Sequence, residues 1–302
     1  MKLAVEFPSV IYREGPRGVA ALAQAIERAG YDQLDMFDHV VMPWPSESRP
    51  GLRYPADMPI LEALMALAFV AAVTERIGLG TEVLVLPQRQ PVLVAKQVST
   101  LDTLSAGRVR LGVGTGWQES EYQALGADFH RRGKAMDEAV ELLRACWRQR
   151  EVDFAGAHYR VQTMAMEPKP PRPGGPPIWL GGSSPAALRR AGRLADGWLA
   201  NVGCGAEQIA AVKQAAEQAG RDPDALGFQA QLSAPPHQGE AASSGVDGLV
   251  DGIVAGAGAA VADGFDWATV NATVLFRAGA RRGEQLAAAL ATLHDRLRAE
   301  VG

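Results

Sequence analysis

IGLGTEVLVLPQRQPVLVAKQVSTLDTLSAGRVRLGVGTGW, residues 77–117, reads as strand, helix and strand in direct succession. The run 77–86 is apolar and rich in β-branched residues, with Thr81 and Glu82 set into it. Pro91 suits the first turn of a helix, where its missing N–H costs nothing. Val94, Val98, Leu101 and Leu104 recur at helical spacing, and Gly107 closes the helix. A second apolar run, 109–113, ends in Gly114-Thr115-Gly116-Trp117. Two strands joined through a helix pair in parallel by a crossover, since a hairpin needs only a short turn.

The same alternation extends outward in both directions. Strands read at 3–7, 33–38, 178–180, 198–201, 226–233 and 267–275. Helices read at 17–29, 59–74, 132–148, 185–195, 206–219, 246–262 and 284–300. Eight β/α units fit an α/β fold of the (β/α)₈ TIM-barrel type, here as one domain over 1–302. A doubly wound open sheet is the rival, and no GxGxxG follows the first strand to favour it. The main insertion is 151–177, a hairpin about Gly156 followed by a Pro-rich segment. A second irregular stretch, 234–245, has Pro, Gly and Ser without periodicity.

Composition narrows the function. A formal charge of −4 over 302 residues points to no nucleic acid partner. Two cysteines, Cys146 and Cys204, and five scattered histidines form no disulfide framework and no metal-ligand spacing. The apolar stretch 61–74 contains Glu62 and is too short to span a bilayer. The first ten residues lack the pattern of a signal peptide. A cytoplasmic protein that binds a small molecule is expected.

In a barrel the chemistry sits at the C-terminal ends of the strands. The junction Gly181-Gly182-Ser183-Ser184-Pro185 joins a strand to a helix. Glycines there allow close backbone approach, Ser184 can cap the helix, and the helix N-terminus suits an anion such as a phosphate. An ordinary capped turn explains the same residues. Gly114–Trp117 is a second glycine-rich end, beside an aromatic ring. His39, after the second strand, is the candidate for proton transfer. Its neighbour Asp38 shares a pocket with it only if the strand has already ended. Glu82, inside an apolar run, must reach solvent, a partner or a ligand. Trp44 walls the pocket or packs elsewhere. Glu119, Glu121 and Asp128 read as a solvated helix cap, with contact to a substrate as the alternative, and Lys169 and Arg172 as a solvated loop, with contact to an anionic tail as the alternative.

Four segments together resemble the luciferase-like monooxygenase superfamily, in the branch that uses the deazaflavin coenzyme F420. They are FDHVVMPW (37–44), the run 77–122, RGKAMDEAVELLRACW (132–147) and PKPPRPGGPPIWLGGSSPAALRRAGRLADGWL (168–199). The resemblance is weak beyond about residue 232. It implies a TIM barrel with insertions, a homodimer, and a flavin-type ring over the barrel mouth. It places a bulge with a non-proline cis peptide at Glu82-Val83, backing that ring near Thr81. It implies that His39 acts in proton transfer and that Asp38 lies on the cofactor side. Thr115, Gly116, Gly181, Gly182, Ser183 and Ser184 would hold the ribityl chain and phosphate.

Two departures limit the carry-over. The best-known dehydrogenase of this branch has an acid directly after Gly-Thr-Gly, where this chain has Trp117. Its spacing from the histidine to the following tryptophan is one residue shorter than His39 to Trp44. Sugar-phosphate oxidation is therefore not implied. Hydride transfer between F420 and a small organic substrate is the leading expectation. An FMN-dependent monooxygenase fed by a separate reductase is the alternative, and a non-catalytic flavin-binding protein is a third. The substrate and the direction of transfer are not legible.

Overall fold

The computed structural model describes residues 1–47, 54–233 and 245–302. The first half runs β1 (Lys2–Glu6), α1 (Gly15–Ala29), β2 (Gln33–Met36), α2 (Ala63–Val73), β3 (Gly78–Thr81), β4 (Leu84–Val85) and α3 (Pro91–Leu104). There follow β5 (Val109–Gly114), α4 (Glu119–Ala124), α5 (Arg132–Arg148), β6 (Val152–Ala155), β7 (Arg160–Met164), β8 (Ile178–Gly181) and α6 (Pro185–Leu194). The chain ends with β9 (Gly197–Leu199), α7 (Ala206–Gln218), β10 (Gly227–Leu232), α8 (Gly245–Asp263), β11 (Trp267–Asn271), α9 (Ala272–Arg277) and α10 (Gly283–Val301).

The main sheet is parallel throughout, in the order β3-β2-β1-β11-β10-β9-β8-β5-β4. A β3–β5 pairing closes it into a barrel. β3 and β4 are consecutive pieces of the third strand, so the closed barrel has eight strands. The rival open sheet is thereby excluded. Outward-facing residues such as Leu3, Leu34, Leu79, Leu111, Ile178 and Ala268 are buried against the helix layer. Burying this apolar surface is the main driving force of the fold, about 25 cal/mol per Å².

The third strand carries the expected irregularity. From Gly80 to Leu84 it advances four residues, while β5 advances three, Arg110 to Val113. One extra residue against its partner is a β-bulge. The Glu82-Val83 peptide inside it is cis. Gly112 makes room for it, because a Cβ there would lie 1.9 Å from the Thr81 carbonyl oxygen.

Several element boundaries differ from the sequence reading. The second strand ends at Met36, so Asp38 and His39 lie beyond the sheet. The stretch 59–74 becomes helical only at Ala63, where Glu62 caps it by accepting from Met65 N. The last strand stops at Asn271, whose side chain accepts from Thr273 N and starts α9. The insertion forms the antiparallel hairpin β6–β7, closed by Gly156 N donating to Tyr159 O at 2.9 Å. Lys169 and Arg172 are not solvated loop residues. Lys169 Nζ donates to the Cys146 and Gln149 carbonyls, and Arg172 pairs with buried Asp102 at 2.7 Å. The irregular stretch lies outside the described residues from 234 to 244. Among the described residues, Gly245–Asp263 rather than 61–74 has the length and hydropathy to cross a membrane. In the fold that helix buries Val250, Ile253, Val254, Ala257 and Ala260 within the barrel's helix layer.

Candidate active site

A cavity of about 360 Å³ opens at the C-terminal mouth of the barrel. All eight barrel strands or the turns that follow them line it. Glu6 and Phe7 come from β1, Phe37, Asp38 and His39 from the turn after β2, and Glu82 and Val83 from the bulge. Gly114–Trp117 follow β5, Gly181 and Gly182 lie at the end of β8, and Asn201, Gln231 and Asn271 come from the last three strands. Most of the residues singled out in the sequence therefore meet in one place, although they are spread over more than 140 positions of chain.

His39 is 5 % exposed. Its Nδ1 lies 2.8 Å from Glu121 Oε2. Glu121 is the residue that sequence reasoning misplaced. It is 1 % exposed and not a solvated cap. Its other oxygen accepts from Val40 N at 2.5 Å and Val41 N at 3.3 Å. Burial alone would raise the Glu121 pKa, but these bonds from His39, Val40 and Val41 outweigh it and hold the carboxyl below its ordinary range. Glu121 is therefore an anion and accepts the Nδ1 proton. Among the described residues His39 Nε2 has no protein partner, so its lone pair is left for the cavity. The short helix α4 makes this possible. It turns Glu121 and Tyr122 inward, and Tyr122 Oη fixes the turn by donating to Thr115 O at 2.6 Å.

Asp38 occupies a different corner. Its Oδ1 accepts from Arg89 Nη2 at 2.7 Å, and its Oδ2 accepts from Val85 N at 3.0 Å. Burial raises its pKa, and Arg89 opposes the rise only in part. Arg89 also reaches Glu62 at 2.9 Å, tying the β4 end to the start of α2. An aromatic group surrounds His39: Phe37 at 5.1 Å, Trp117 at 5.6 Å and Tyr54 at 6.1 Å between ring centroids.

The cavity wall beneath the bulge is a glycine cradle. A Cβ on Gly114 would lie 2.5 Å from Val83 Cγ2, and one on Gly181 would lie 2.9 Å from Val83 Cγ1. Val83 can lie flat against the wall only because both positions lack side chains. Gly116 and Gly182 take φ of 66° and 117°, the left-handed region that favours glycine.

Four sequence candidates fall outside the lining. Thr81 is buried in the sheet, its hydroxyl donating to Gly112 O at 2.6 Å, which leaves it behind the bulge. Ser184 caps α6 by accepting from Ala187 N at 3.2 Å. Ser183 sits at the rim, where its Oγ accepts from Asn201 Nδ2 at 3.3 Å. Trp44 is 76 % exposed, so it neither packs nor walls the cavity. Conversely, Glu6, Tyr54, Gln231, Asn271 and Arg277 line the cavity without having been singled out. Inward alternation along β1, β10 and β11 was the available signal for Glu6, Gln231 and Asn271.

The model of the luciferase-like monooxygenase family matches residues 2–298, and so extends well beyond residue 232. The chain belongs to the luciferase-like monooxygenase family. It is an oxidoreductase of that family. An uncharacterized protein of Mycobacterium tuberculosis is 39% identical over 209 residues, 66% of this chain and 72% of its own. A protein named F420-dependent glucose-6-phosphate dehydrogenase, from Nocardia farcinica, is 35% identical over 237 residues, 74% of this chain. The match spans 66% of that dehydrogenase's length. Among solved structures, a monooxygenase from Streptomyces bottropensis superposes with a TM-score of 0.75 at 20% identity, covering 100% of both chains. An F420-dependent secondary alcohol dehydrogenase superposes at 0.63 with 18% identity, covering 99% of this chain and 90% of its own. These two share the barrel of the family.

Proposed function

We propose that the cavity binds coenzyme F420 and that the enzyme transfers a hydride between it and a small organic substrate. The observation that carries this is His39, held by Glu121 with Nε2 free for the cavity, opposite the Val83 cradle. The cradle fits a flat ring: Gly114 and Gly181 leave no side chain between Val83 and the cavity wall. The α6 N-terminus and Ser183 at the rim suit the phosphate of the same cofactor. F420-dependent relatives above 30% identity support the deazaflavin over FMN.

When bound, the deazaflavin supplies the hydride chemistry at its ring carbon C5. The protein's part is orientation and proton handling. For oxidation of an alcohol, His39 Nε2 would accept the hydroxyl proton. For reduction of a carbonyl, the protonated His39 imidazole would return that proton to the oxygen. Glu121 stays ionised and holds the ring in one orientation. Phe37, Tyr54 and Trp117 exclude water around it, which strengthens the electrostatics of the site.

Titration of the protein with F420 and separately with FMN, followed by tryptophan quenching, tests the cofactor. Trp117 in the lining is the reporter. Tight F420 binding with much weaker FMN binding is expected. Preference for FMN would move the enzyme to the monooxygenase reading, with a separate reductase. His39→Ala should leave F420 affinity nearly unchanged and lower turnover about 10²–10⁴-fold. A silent substitution would support a non-catalytic carrier instead.

We further infer a homodimer. Met65 and Phe69 of α2, with Tyr12, line a shallow apolar groove, and Leu93 and Leu104 of α3 are also exposed. Apolar side chains clustered on one surface mark an interaction site.

A further inference from the structure

The barrel interior below the cavity departs from the usual filling of branched apolar side chains. Glu6, Asp35, Glu82, Arg110, Gln229 and Thr269 converge there from six strands. Three carboxylates share one guanidinium. Arg110 pairs with Asp35, while its Nη1 is buried with no hydrogen-bond partner among the described residues. Its Nη2 donates to Asp35 Oδ2 at 2.8 Å, and its guanidinium lies 4.5 Å from the Trp179 ring and 4.6 Å from the Trp267 ring. Glu6 Oε1 accepts from Asn271 Nδ2 at 2.6 Å.

Among the described residues Glu82 makes no ion pair, and Arg110 acts on it only through space. Glu82 lines the cavity, and its Oε2 is buried with no hydrogen-bond partner among the described residues. Burial and the charge of Asp35 push its pKa up to about 8, opposed only in part by Arg110 and by the neighbouring Thr269 hydroxyl and Gln229 amide. A buried carboxylate without a cation takes up a proton rather than stay charged. A carboxylic acid in turn needs an acceptor for its O–H, and an unmade bond there costs about 1–3 kcal/mol.

We propose that Glu82 is a neutral carboxylic acid in the cavity floor and donates a hydrogen bond to a carbonyl oxygen on the edge of the bound ring. The proposal rests on the reading of the cavity as a flavin-type site. The pyrimidinedione edge common to deazaflavin and flavin rings carries the acceptor this donor requires. Glu82 is then a cofactor-binding residue, and its proton stays on the carboxyl. It also makes ring binding weaken in alkali, because an ionised Glu82 would repel the same carbonyl. The groups that face Glu82 are Glu6 from β1, Asp35 from β2, Arg110 from β5, and the uncharged Gln229 and Thr269 from β10 and β11. Asp38 and His39 line the same cavity.

The test is titration of the intact protein with F420 between about pH 7 and pH 9.5, for wild type, Glu82→Gln and Glu82→Leu, each checked by thermal melting. Wild-type Kd should rise by up to about tenfold per pH unit once Glu82 ionises. Glu82→Gln keeps an uncharged donor, so it should bind within about threefold of wild type at pH 7 and lose that slope. Glu82→Leu should bind at least about tenfold more weakly at pH 7. Subtracting the Gln profile removes the contribution of every other group, all of which remain. Equal slopes in wild type and Glu82→Gln would overturn the proposal. Should the variants fail to fold, infrared difference spectra of the wild type decide. A protonated-carboxyl band that shifts when F420 binds supports it, and its absence overturns it. If wild type binds FMN and not F420, the deazaflavin reading fails and the same series run with FMN decides on Glu82. If neither ring binds, both readings fall.

Discussion

Glu121→Gln isolates the part of the site that only three-dimensional contact reveals. The substitution keeps the shape of the side chain and one oxygen. That oxygen can still accept from Val40 N and Val41 N, now at 2.5 and 3.3 Å from Glu121 Oε1. The amide nitrogen then stands where Oε2 stood, 2.8 Å from His39 Nδ1. An amide N–H₂ only donates, so Nδ1 must become the acceptor and the ring proton moves to Nε2. His39 then faces the cavity with a donor in place of a lone pair and can no longer accept a substrate proton. Loss of positioned general-base catalysis lowers turnover about 10²–10⁴-fold. Charge-assisted bonds become neutral ones, which costs stability on the order of 2 kcal/mol. F420 affinity should stay within about twofold, since the altered group acts on proton transfer and not on ground-state binding. Long-range ¹⁵N NMR of the histidine ring reads the tautomer without any substrate: Nδ1–H in wild type, Nε2–H in the variant. Steady-state F420 reduction with an alcohol that the wild type turns over reads the rate. A variant with the tautomer switched and turnover intact would refute the base role. A variant with the tautomer unchanged would refute the assignment of the Glu121 contact.

Four further outcomes are expected. Arg110→Met strands the buried Asp35 carboxylate and should lower unfolding free energy by about 3–5 kcal/mol, read by denaturant melts; a loss under about 1 kcal/mol would contradict the pairing. Gly114→Ala forces Val83 off the wall, costing about 1–3 kcal/mol of stability and about tenfold or more in F420 affinity by fluorescence titration; unchanged affinity would remove the cradle from the site. Met65→Glu should turn a dimer into a monomer of half the mass by light scattering, and a monomeric wild type would overturn the dimer outright. Glu6 and Glu82 have pKa values raised on folding, so their stabilising effect is complete below about pH 4.5 and is lost as pH rises through the folded values, about 8 for Glu82. Thermal stability should therefore fall across that window, and Glu82→Gln should flatten part of the fall; a flat wild-type profile would contradict the buried acids.

The periodicities that define the barrel are local, and they were readable. Apolar runs of period two and helical spacing of 3.6 appear in short windows, and Pro91, Gly107 and Ser184 mark helix ends by their own backbone chemistry. The bulge followed from resemblance rather than from pattern, since Thr81-Glu82 looks like any polar interruption of a strand. His39, Asp38, Gly114–Gly116 and Gly181–Gly182 were legible because strand ends in a barrel converge whatever the loops do. Glu121 was not. In sequence it is one acid among several in a polar stretch, and only α4's orientation turns it inward onto a histidine 82 positions away. Thr81 and Trp44 lie off the cavity for the complementary reason, and Ser184 serves as the helix cap its residue type offered: residue type shows what a side chain can do, and the local fold decides which neighbour takes it. The sequence by itself therefore determined the fold class, the family and the set of strand ends that form the cavity. The tertiary structure alone decided which carboxylate is ionised beside His39 and which is held neutral beneath the cavity. Those states depend on burial and on charges brought together from separate strands, and no local window contains either.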